Sequence, residues 1–372
     1  MRILYFAVNQ KHSTFFEKVR ALGCQGEVVI SKRLWLPSLK ALFTFPAYLH
    51  TAATLRQKDF QAKYHCPLCR RLLKPYSLLL AYWNYVRYSQ IRYPEYTHIM
   101  VWNSSLFRQS IAVEIAKSHG LKPIVTEMGL LPGRIVIDLQ GANYLNSVPR
   151  DTAFYQRYPG GKVLPDTLIP RMPKSAKKFS QTVKNPLPEA YLFVPFQVDY
   201  DTQILLFSPW IKNMEMLFSL LASCAERLQM HVVFKEHPSS KKKYPKLHAQ
   251  SEQSPYLHFA NGYPTQTLIE GAEAVLTINS TVGIESLLFH KRVIVLGQAF
   301  YAIEGITKQA LDREALMEIL STLQSWQPDQ VMIDRFLSYL YEVYLIEGDF
   351  DQFNETQLRH RIGCMEEGEP HS

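Results

Sequence analysis

Cysteine is scarce and badly spaced for crosslinking. The five cysteines, Cys24, Cys66, Cys69, Cys224 and Cys364, are an odd number at scattered positions, which argues against a disulfide framework. Cys66-Pro67-Leu68-Cys69, with His65 beside it, has the spacing of half a zinc site. No second Cys-x-x-Cys supplies the remaining ligands, so two adjacent buried thiols are expected rather than a metal. Long apolar runs are missing as well. Nowhere do about 18 apolar residues follow one another, so no transmembrane helix is expected. Met1–Val8 is apolar for only a few residues before Asn9, Gln10 and Lys11. That is too short for a signal peptide and reads as a first strand, so a cytoplasmic-side protein is expected. Helix-turn-helix, RNP-like and zinc-finger patterns are all lacking, so nucleic acid is not an expected partner. No repeat of fixed period is visible.

What is present suits a two-domain α/β protein. The chain has 372 residues, 47% hydrophobic and 20% charged, enough for two cores at roughly 150 residues per domain. A net charge of +8 favours anionic partners: nucleotides, acidic sugars or phospholipid headgroups. The 21 Tyr and 20 Phe suit stacking on sugars or bases, although half-buried core positions explain most aromatics.

Strands alternate with helical stretches through the first half. Strands are read at Ile3–Val8, Glu27–Ile30, His98–Trp102 and Pro123–Thr126, with helices at Ser13–Leu22 and Leu106–His119 and helical periodicity over about Leu39–Ser89, interrupted near Cys66–Lys74. Residues 158–190 are proline-dense, basic and aperiodic, and form the linker candidate. Beyond it the alternation resumes with strands Tyr191–Pro195, His231–Lys235, Ala274–Ile278 and Val293–Leu296, a helix over about Leu206–Leu228, and further helices near Thr265–Gly271 and Val282–Phe289. Such alternation implies parallel βαβ units. Residues 1–185 are therefore expected as an N-terminal acceptor-side lobe and 186–327 as a donor lobe. Residues 328–372, with a helix at Pro328–Ile346, are expected to pack back across both. Two Rossmann-like lobes with an interlobe cleft constitute the GT-B arrangement, with ligands at the carboxyl ends of strands.

Unusual polar residues fall at those ends. Lys235-Glu236-His237-Pro238 follows one strand; a histidine fixed there by proline can present its ring to a phosphate, although an ordinary loop is the plain alternative. Asn279-Ser280-Thr281-Val282-Gly283-Ile284-Glu285 follows the next. Hydroxyl residues at a helix start offer N–H and O–H donors to an anion, and the glycine permits close backbone approach. The alternative is an N-cap at Ser280 or Thr281. Two neighbouring strand ends of this kind favour a nucleotide-phosphate site. Glu127 and Gly129 follow Pro123–Thr126, while Gln197, Asp199 and Asp201 follow Tyr191–Pro195, placing carboxylates beyond a strand in each lobe. For Asp199 and Asp201 a solvated turn, and for Glu127 a cap or ion pair, explain the residues equally well.

These runs, with Asp138-Leu139-Gln140-Gly141-Ala142-Asn143 and Pro149-Arg150-Asp151, resemble in order and spacing the capsule-synthesis family of bacterial β-Kdo glycosyltransferases over roughly residues 120–300. The resemblance implies a GT-B enzyme that transfers Kdo, an acidic eight-carbon sugar, from CMP-β-Kdo with retention. It implies Asp201 as the nucleophile of a glycosyl-enzyme intermediate and Glu127 as partner acid/base. His237 with Ser280 and Thr281 would hold the CMP phosphate, beside Pro238, Asn279, Gly283 and Glu285. Asp199-Tyr200-Asp201 stands where many relatives have an acidic pair. Lys235, Arg134 and Arg150 are candidates for the sugar carboxylate, and Gln197, Asp199 and Gly129 for the rest of the cleft. No metal or cofactor is expected besides the donor substrate. The partners implied are a nucleotide sugar and a glycan or lipid-linked acceptor at the inner face of the membrane. Lys40–Tyr93, rich in Leu, Tyr and Trp with scattered Arg and Lys, is read mostly as lobe core, with one basic-aromatic face as a candidate for peripheral contact with an anionic membrane. Alternatives are a transferase for another CMP-activated acidic sugar of the sialic type, and a non-catalytic capsule assembly or export partner.

Overall fold

The computed structural model describes residues 1–64, 70–161, 164, 186–240 and 242–367. Among them are twelve strands: β1 (Ile3–Ala7), β2 (Gly26–Ile30), β3 (His98–Trp102), β4 (Lys122–Met128), β5 (Arg134–Asp138), β6 (Leu192–Pro195), β7 (Val232–Lys235), β8 (Leu257–Phe259), β9 (Ala274–Thr277), β10 (Arg292–Val295), β11 (Lys308–Gln309) and β12 (Leu345–Glu347). They form two six-stranded sheets in two compact units, the first comprising Met1–Val148 with Tyr344–Ser372 and the second Pro149–Val343.

In the first unit the order is β12-β5-β4-β3-β1-β2. Strands β1 to β4 run parallel, β5 turns back against β4, and β12 pairs antiparallel with β5. Every residue of β1 and β3 is buried, as expected of a parallel sheet covered on both faces. Alternate side chains enter two separate cores. Leu4, Phe6, Ile99 and Val101 pack on one face against helices Tyr48–Lys63, Arg70–Tyr88 and Phe107–Ser118. Ile3, Tyr5, Met100 and Trp102 pack on the other against helices Gln10–Ala21 and Glu355–Glu367.

The second unit's sheet runs β11-β10-β9-β6-β7-β8, every pairing parallel. Counted within the unit this is strand order 3-2-1-4-5-6, the doubly wound order of dinucleotide-binding domains. Leu192, Val194, Val232 and Phe234 face the larger core under helix Met214–Leu228. Tyr191, Phe193, Val233 and Val275 face a smaller one.

Two Rossmann-like α/β units were expected and are found, with other boundaries. The first unit ends at Val148 rather than at residue 185, and the expected segment 328–372 divides at Tyr344. Helix Gln330–Tyr339 belongs to the second unit, after which a short π-helical turn leads into β12 on the first sheet. The helix expected over Leu206–Leu228 is two helices, Thr202–Phe207 and Met214–Leu228. Pro209 lacks the N–H a continuous helix needs, and Asn213 caps the second helix by accepting from the Met216 N–H. The reading over Leu39–Ser89 also shortens, because residues 39–47 hold only the 3-10 turn Ala41–Phe43. Strands β5, β8, β11 and β12 are additions to the expected set. Cys66, Cys69, Lys241 and most of the linker candidate lie outside the described residues.

Candidate functional site

In the second unit the chain reverses its winding between β6 and β9, and this switch point is where a doubly wound sheet opens a ligand crevice. The two strand ends there are clasped by a pair of amides. Asn279 donates its backbone N–H to Gln197 Oε1 at 3.2 Å, and Gln197 Nε2 donates to Asn279 Oδ1 at 2.9 Å. Asn279 Nδ2 faces three carbonyl oxygens, Gln203 at 3.0 Å, Phe207 at 3.3 Å and Gln298 at 3.4 Å. Both side chains are buried. Their polar atoms are committed to the protein, so the two residues shape the crevice rather than touch what it holds.

Ser280 and Thr281 follow at the rim, both half-buried. Ser280 Oγ accepts from the Val282 N–H at 3.2 Å and its carbonyl accepts from the Tyr301 hydroxyl at 2.5 Å. Thr281 occupies the cap position of helix Val282–Leu288 and makes no side-chain capping bond. With only seven residues this helix has little dipole to offer; the local N–H and O–H donors are what distinguish the turn. Gly283 has a different reason from the one expected. A Cβ there would stand 2.6 Å from the Tyr301 hydroxyl oxygen and 2.7 Å from its ring, so the missing side chain admits a tyrosine, not a ligand. Glu285 is buried beneath the turn. Burial, with Glu285 adding to it, raises the Tyr301 hydroxyl far above its usual range and keeps it a neutral donor.

At the end of β7 the pattern repeats. Glu236 is buried, its N–H donating to Asn261 Oδ1 at 2.8 Å, and its carboxylate accepts from His248 Nε2 at 2.7 Å and Asn261 Nδ2 at 3.2 Å. His237, next in the chain, is half-buried ahead of Pro238, and its Nδ1 accepts from the Ser239 N–H at 3.1 Å. A neutral imidazole accepting at Nδ1 carries its proton on Nε2, the tautomer that can donate to a phosphate oxygen. Lys235 donates to the carbonyls of Asn261 at 3.0 Å and Tyr263 at 2.5 Å, and burial lowers its pKa to about 8.

The two aspartates after β6 differ sharply. Asp199 is buried, accepting from the Met214 N–H at 2.8 Å and from Lys242 Nζ at 2.9 Å. Burial alone would lower the Lys242 pKa, but its bonds to Asp199 and Glu215 outweigh that and raise it. Asp199 thus holds a helix start and an ion pair. Asp201 is exposed and caps helix Thr202–Phe207, its Oδ1 accepting from the Gln203 N–H at 2.9 Å. Arg150 is exposed ahead of helix Thr152–Arg157.

In the first unit the corresponding reversal lies between β1 and β3, and Glu127 stands in the last turn of pleat of neighbouring β4. Three donors converge on its carboxylate: Trp102 Nε1 at 3.0 Å and the Met128 N–H at 3.0 Å on Oε1, and Asn103 Nδ2 at 2.8 Å on Oε2. Asn103 has φ +52°, a left-handed conformation asparagine tolerates better than most residues, and its Oδ1 accepts from the Ser105 N–H. Trp102 stacks on Phe350, ring centroids 3.9 Å apart, and on His12 at 5.6 Å. His12 is buried with no partner on Nδ1, and burial lowers its pKa to about 4. Trp102, Asn103 and His12 were not among the residues singled out from sequence, although a Trp-Asn pair closing an apolar strand is a visible signal. Gly129 serves the β4–β5 hairpin, where a Cβ would meet the Arg134 carbonyl oxygen at 2.3 Å. Arg134 opens β5 opposite Glu347. Asp138 is buried at the end of β5 and accepts from the N–H groups of Gln140, Gly141 and Ser147 and the hydroxyls of Ser147 and Tyr344, which ties down the loop that follows. Among the described residues, no three His, Cys, Asp or Glu side chains are grouped to hold a metal ion.

Residues 169–351 match the family model of capsule polysaccharide biosynthesis proteins. Over that stretch, just under half of the chain, its sequence is similar to capsule polysaccharide biosynthesis proteins. The chain is 38% identical over 274 residues to protein FixF of Sinorhizobium fredii, covering 72% of this chain and 65% of FixF. It is 25% identical over 292 residues to the capsule polysaccharide export protein KpsS of Escherichia coli, covering 60% of this chain and 72% of that one. Among solved structures, the β-Kdo 2,7 transferase of Thermosulfurimonas dismutans KpsC aligns over 97% of this chain and all of that one, at 13% identity and a TM-score of 0.49. Within residues 169–351 lie all the strand ends of the second unit described above.

Proposed function

We propose that this chain is a retaining glycosyltransferase that moves Kdo from CMP-β-Kdo to a glycan or lipid-linked acceptor in bacterial surface-polysaccharide synthesis. The observation carrying the reading is the second unit's doubly wound sheet. His237 and the Ser280–Thr281 turn stand at the ends of β7 and β9, on loops anchored from below by Glu236 and Asn279. Similarity to capsule polysaccharide biosynthesis proteins over this same stretch supports the acidic-sugar donor.

In this reading the His237 Nε2–H and the hydroxyls of Ser280 and Thr281 bind the CMP phosphate and stabilise its departing charge. Lys235, charged below about pH 8, is the nearest cation in sequence to that phosphate site and the candidate for the Kdo carboxylate, ahead of Arg134 and Arg150. Asp201 attacks the anomeric carbon as CMP leaves. The acceptor hydroxyl then displaces Asp201, losing its proton to Glu127, and two inversions give net retention. Asp199, fully engaged with Lys242 and the Met214 N–H, is left as a support.

The test is donor turnover by the purified chain. CMP release from CMP-Kdo with a polysaccharide acceptor is expected for the native protein and should be lost in Asp201→Ala, which still binds CMP. Full turnover by Asp201→Ala would refute the nucleophile, and turnover of CMP-sialic acid but not CMP-Kdo would redirect the donor. A second reading has one observation in its favour, the use of Asp201 as an exposed helix cap. It makes the chain a non-catalytic capsule assembly or export partner, and it predicts neither CMP binding nor turnover.

A further inference from the structure

The chain's positive charge is concentrated in one stretch. Between Glu27 and Glu95 there are eleven Lys and Arg and one acid, Asp59, a net charge of +10 against +8 for the whole chain. The remaining residues together are slightly acidic. The same stretch carries most of the large apolar side chains left in solvent. Phe43 is 94% exposed, Trp35 78% and Leu39 75%, all in the irregular segment between β2 and helix Tyr48–Lys63. Helix Arg70–Tyr88 adds Leu72 at 75% and Leu79 at 63%, with Tyr76 and Trp83 also exposed. Positions 72, 76, 79 and 83 recur at helical spacing, so one stripe of this helix is apolar and unpacked. Its other face, with Leu73, Ala81 and Val86, is in the core.

The segment is fastened to that helix beside Trp83. The Ser38 N–H donates to the Val86 carbonyl at 3.0 Å, the Tyr82 hydroxyl to the Leu42 carbonyl at 2.7 Å, and Arg87 Nε to the Leu34 carbonyl at 2.6 Å. Phe45 stacks on Tyr82 with centroids 5.7 Å apart. Exposed Lys32, Arg33, Lys40 and Lys74 accompany the apolar side chains. A soluble protein seldom leaves such a group of tryptophan, phenylalanine and leucine in water. Among the described residues no helix is long and apolar enough to cross a bilayer.

We propose that the segment 32–45 and the Leu72–Trp83 stripe form a docking surface for an anionic lipid bilayer. The rings and leucines enter the headgroup boundary, and the surrounding lysines and arginines pair with lipid phosphates. Charge selects this occupant: a second copy of the chain would bring a +10 stretch against its own like, whereas an anionic leaflet neutralises it. The proposal is independent of the chemistry assigned to the second unit.

Vesicle co-sedimentation of the full chain, without donor or acceptor, tests it. Binding is expected to vesicles of phosphatidylcholine with about one third phosphatidylglycerol, with little to phosphatidylcholine alone, and to weaken as salt rises. The triple variant Trp35→Ser, Leu39→Ser, Phe43→Ser should lower the partition at least about tenfold. The variant Lys32→Glu, Arg33→Glu, Lys40→Glu should do the same, each melting as the native chain does. Should the apolar triple variant fail to fold, Leu72→Ser with Leu79→Ser decides instead. Native protein left in the supernatant with both vesicle types overturns the proposal, as do variants that bind like the native chain. A triple variant whose solution mass drops while vesicle binding stays unchanged overturns it too, because a second copy then covers the surface.

Discussion

The sharpest distinction drawn at the second unit's switch point is between side chains that build the crevice and side chains that face it, and Asn279→Ala separates the two. The asparagine is 1% exposed. Its truncation strips Gln197 Nε2 of its acceptor and the Gln203 carbonyl of its nearest amide donor. The Phe207 carbonyl keeps a second donor, the Gln298 N–H at 2.8 Å. The buried Gln197 amide left unpaired costs about 1–3 kcal/mol, and the lost donor to the Gln203, Phe207 and Gln298 carbonyls adds to it, so a loss of about 3 kcal/mol is expected. For a unit of this size each kcal/mol moves Tm by roughly 2–4 °C. Differential scanning calorimetry of the ligand-free protein should therefore show the affected transition about 6–12 °C lower. Thr281→Ala, which removes no capping bond, should melt within about 1 °C of the native protein yet bind CMP more weakly in a calorimetric titration. The reasoning fails if Asn279→Ala melts with the native chain but loses CMP, for then the amide serves the ligand and the clasp carries no load.

Three other outcomes are expected. Burial holds the folded His12 pKa at about 4 against an ordinary value of 6.5, so between those values the unfolded chain takes up a proton the folded one refuses. Stability should be level above pH 6.5 and fall as pH drops towards 4, by up to about 1.4 kcal/mol per unit, and His12→Phe should flatten that slope in urea titrations at pH 7.5 and 5. Gly283→Ala drives a methyl into the Tyr301 ring and should destabilise by about 1–3 kcal/mol; most of this should vanish when Tyr301→Ala is added, which a double-mutant cycle of denaturation midpoints measures. Asn103→Gly keeps the left-handed backbone but removes one of the three donors on Glu127. It should lower kcat about tenfold with the donor KM unchanged, and an unaltered kcat would separate Glu127 from the acceptor step.

Much of the fold was legible because its signals are local. Apolar strands fully buried in parallel sheets read as short continuous runs, and Ile3–Ala7, His98–Trp102 and Leu192–Pro195 are such runs. What escaped depends on partners far along the chain. Strand β12 is three residues long and is defined by pairing with β5, more than two hundred residues earlier, where Tyr344 also bonds Asp138. The first unit therefore closes with the chain's last segment, which no local pattern announces. Gly283 illustrates the same point at a smaller scale. Its sequence neighbourhood suggests room for a ligand, and only the position of Tyr301 shows what fills the space. The site was legible by class and not by role: Gln197, Asp199, Asn279 and Thr281 are all polar residues beyond strands, and burial alone divides them.

That division has a regular form. After β7 the buried Glu236 reaches across to Asn261 and His248, and the next residue is His237. After β9 the buried Asn279 reaches across to Gln197 and Gln203, and the next residue is Ser280. In each case an anchoring side chain points into the protein and its successor stands at the rim, as consecutive residues of an extended chain must alternate in direction. A donor aimed at a phosphate gains most when it needs no reorganisation as charge develops, and an anchor one residue away supplies that stiffness without occupying the crevice. Glu127 reaches the same end by another route, with the anchors Trp102 and Asn103 bonded directly to the carboxylate rather than preceding it in the chain. A carboxylate needs donors to fix its plane, whereas an imidazole or hydroxyl needs only a rigid backbone, so the two kinds of support follow from the chemistry each group would perform.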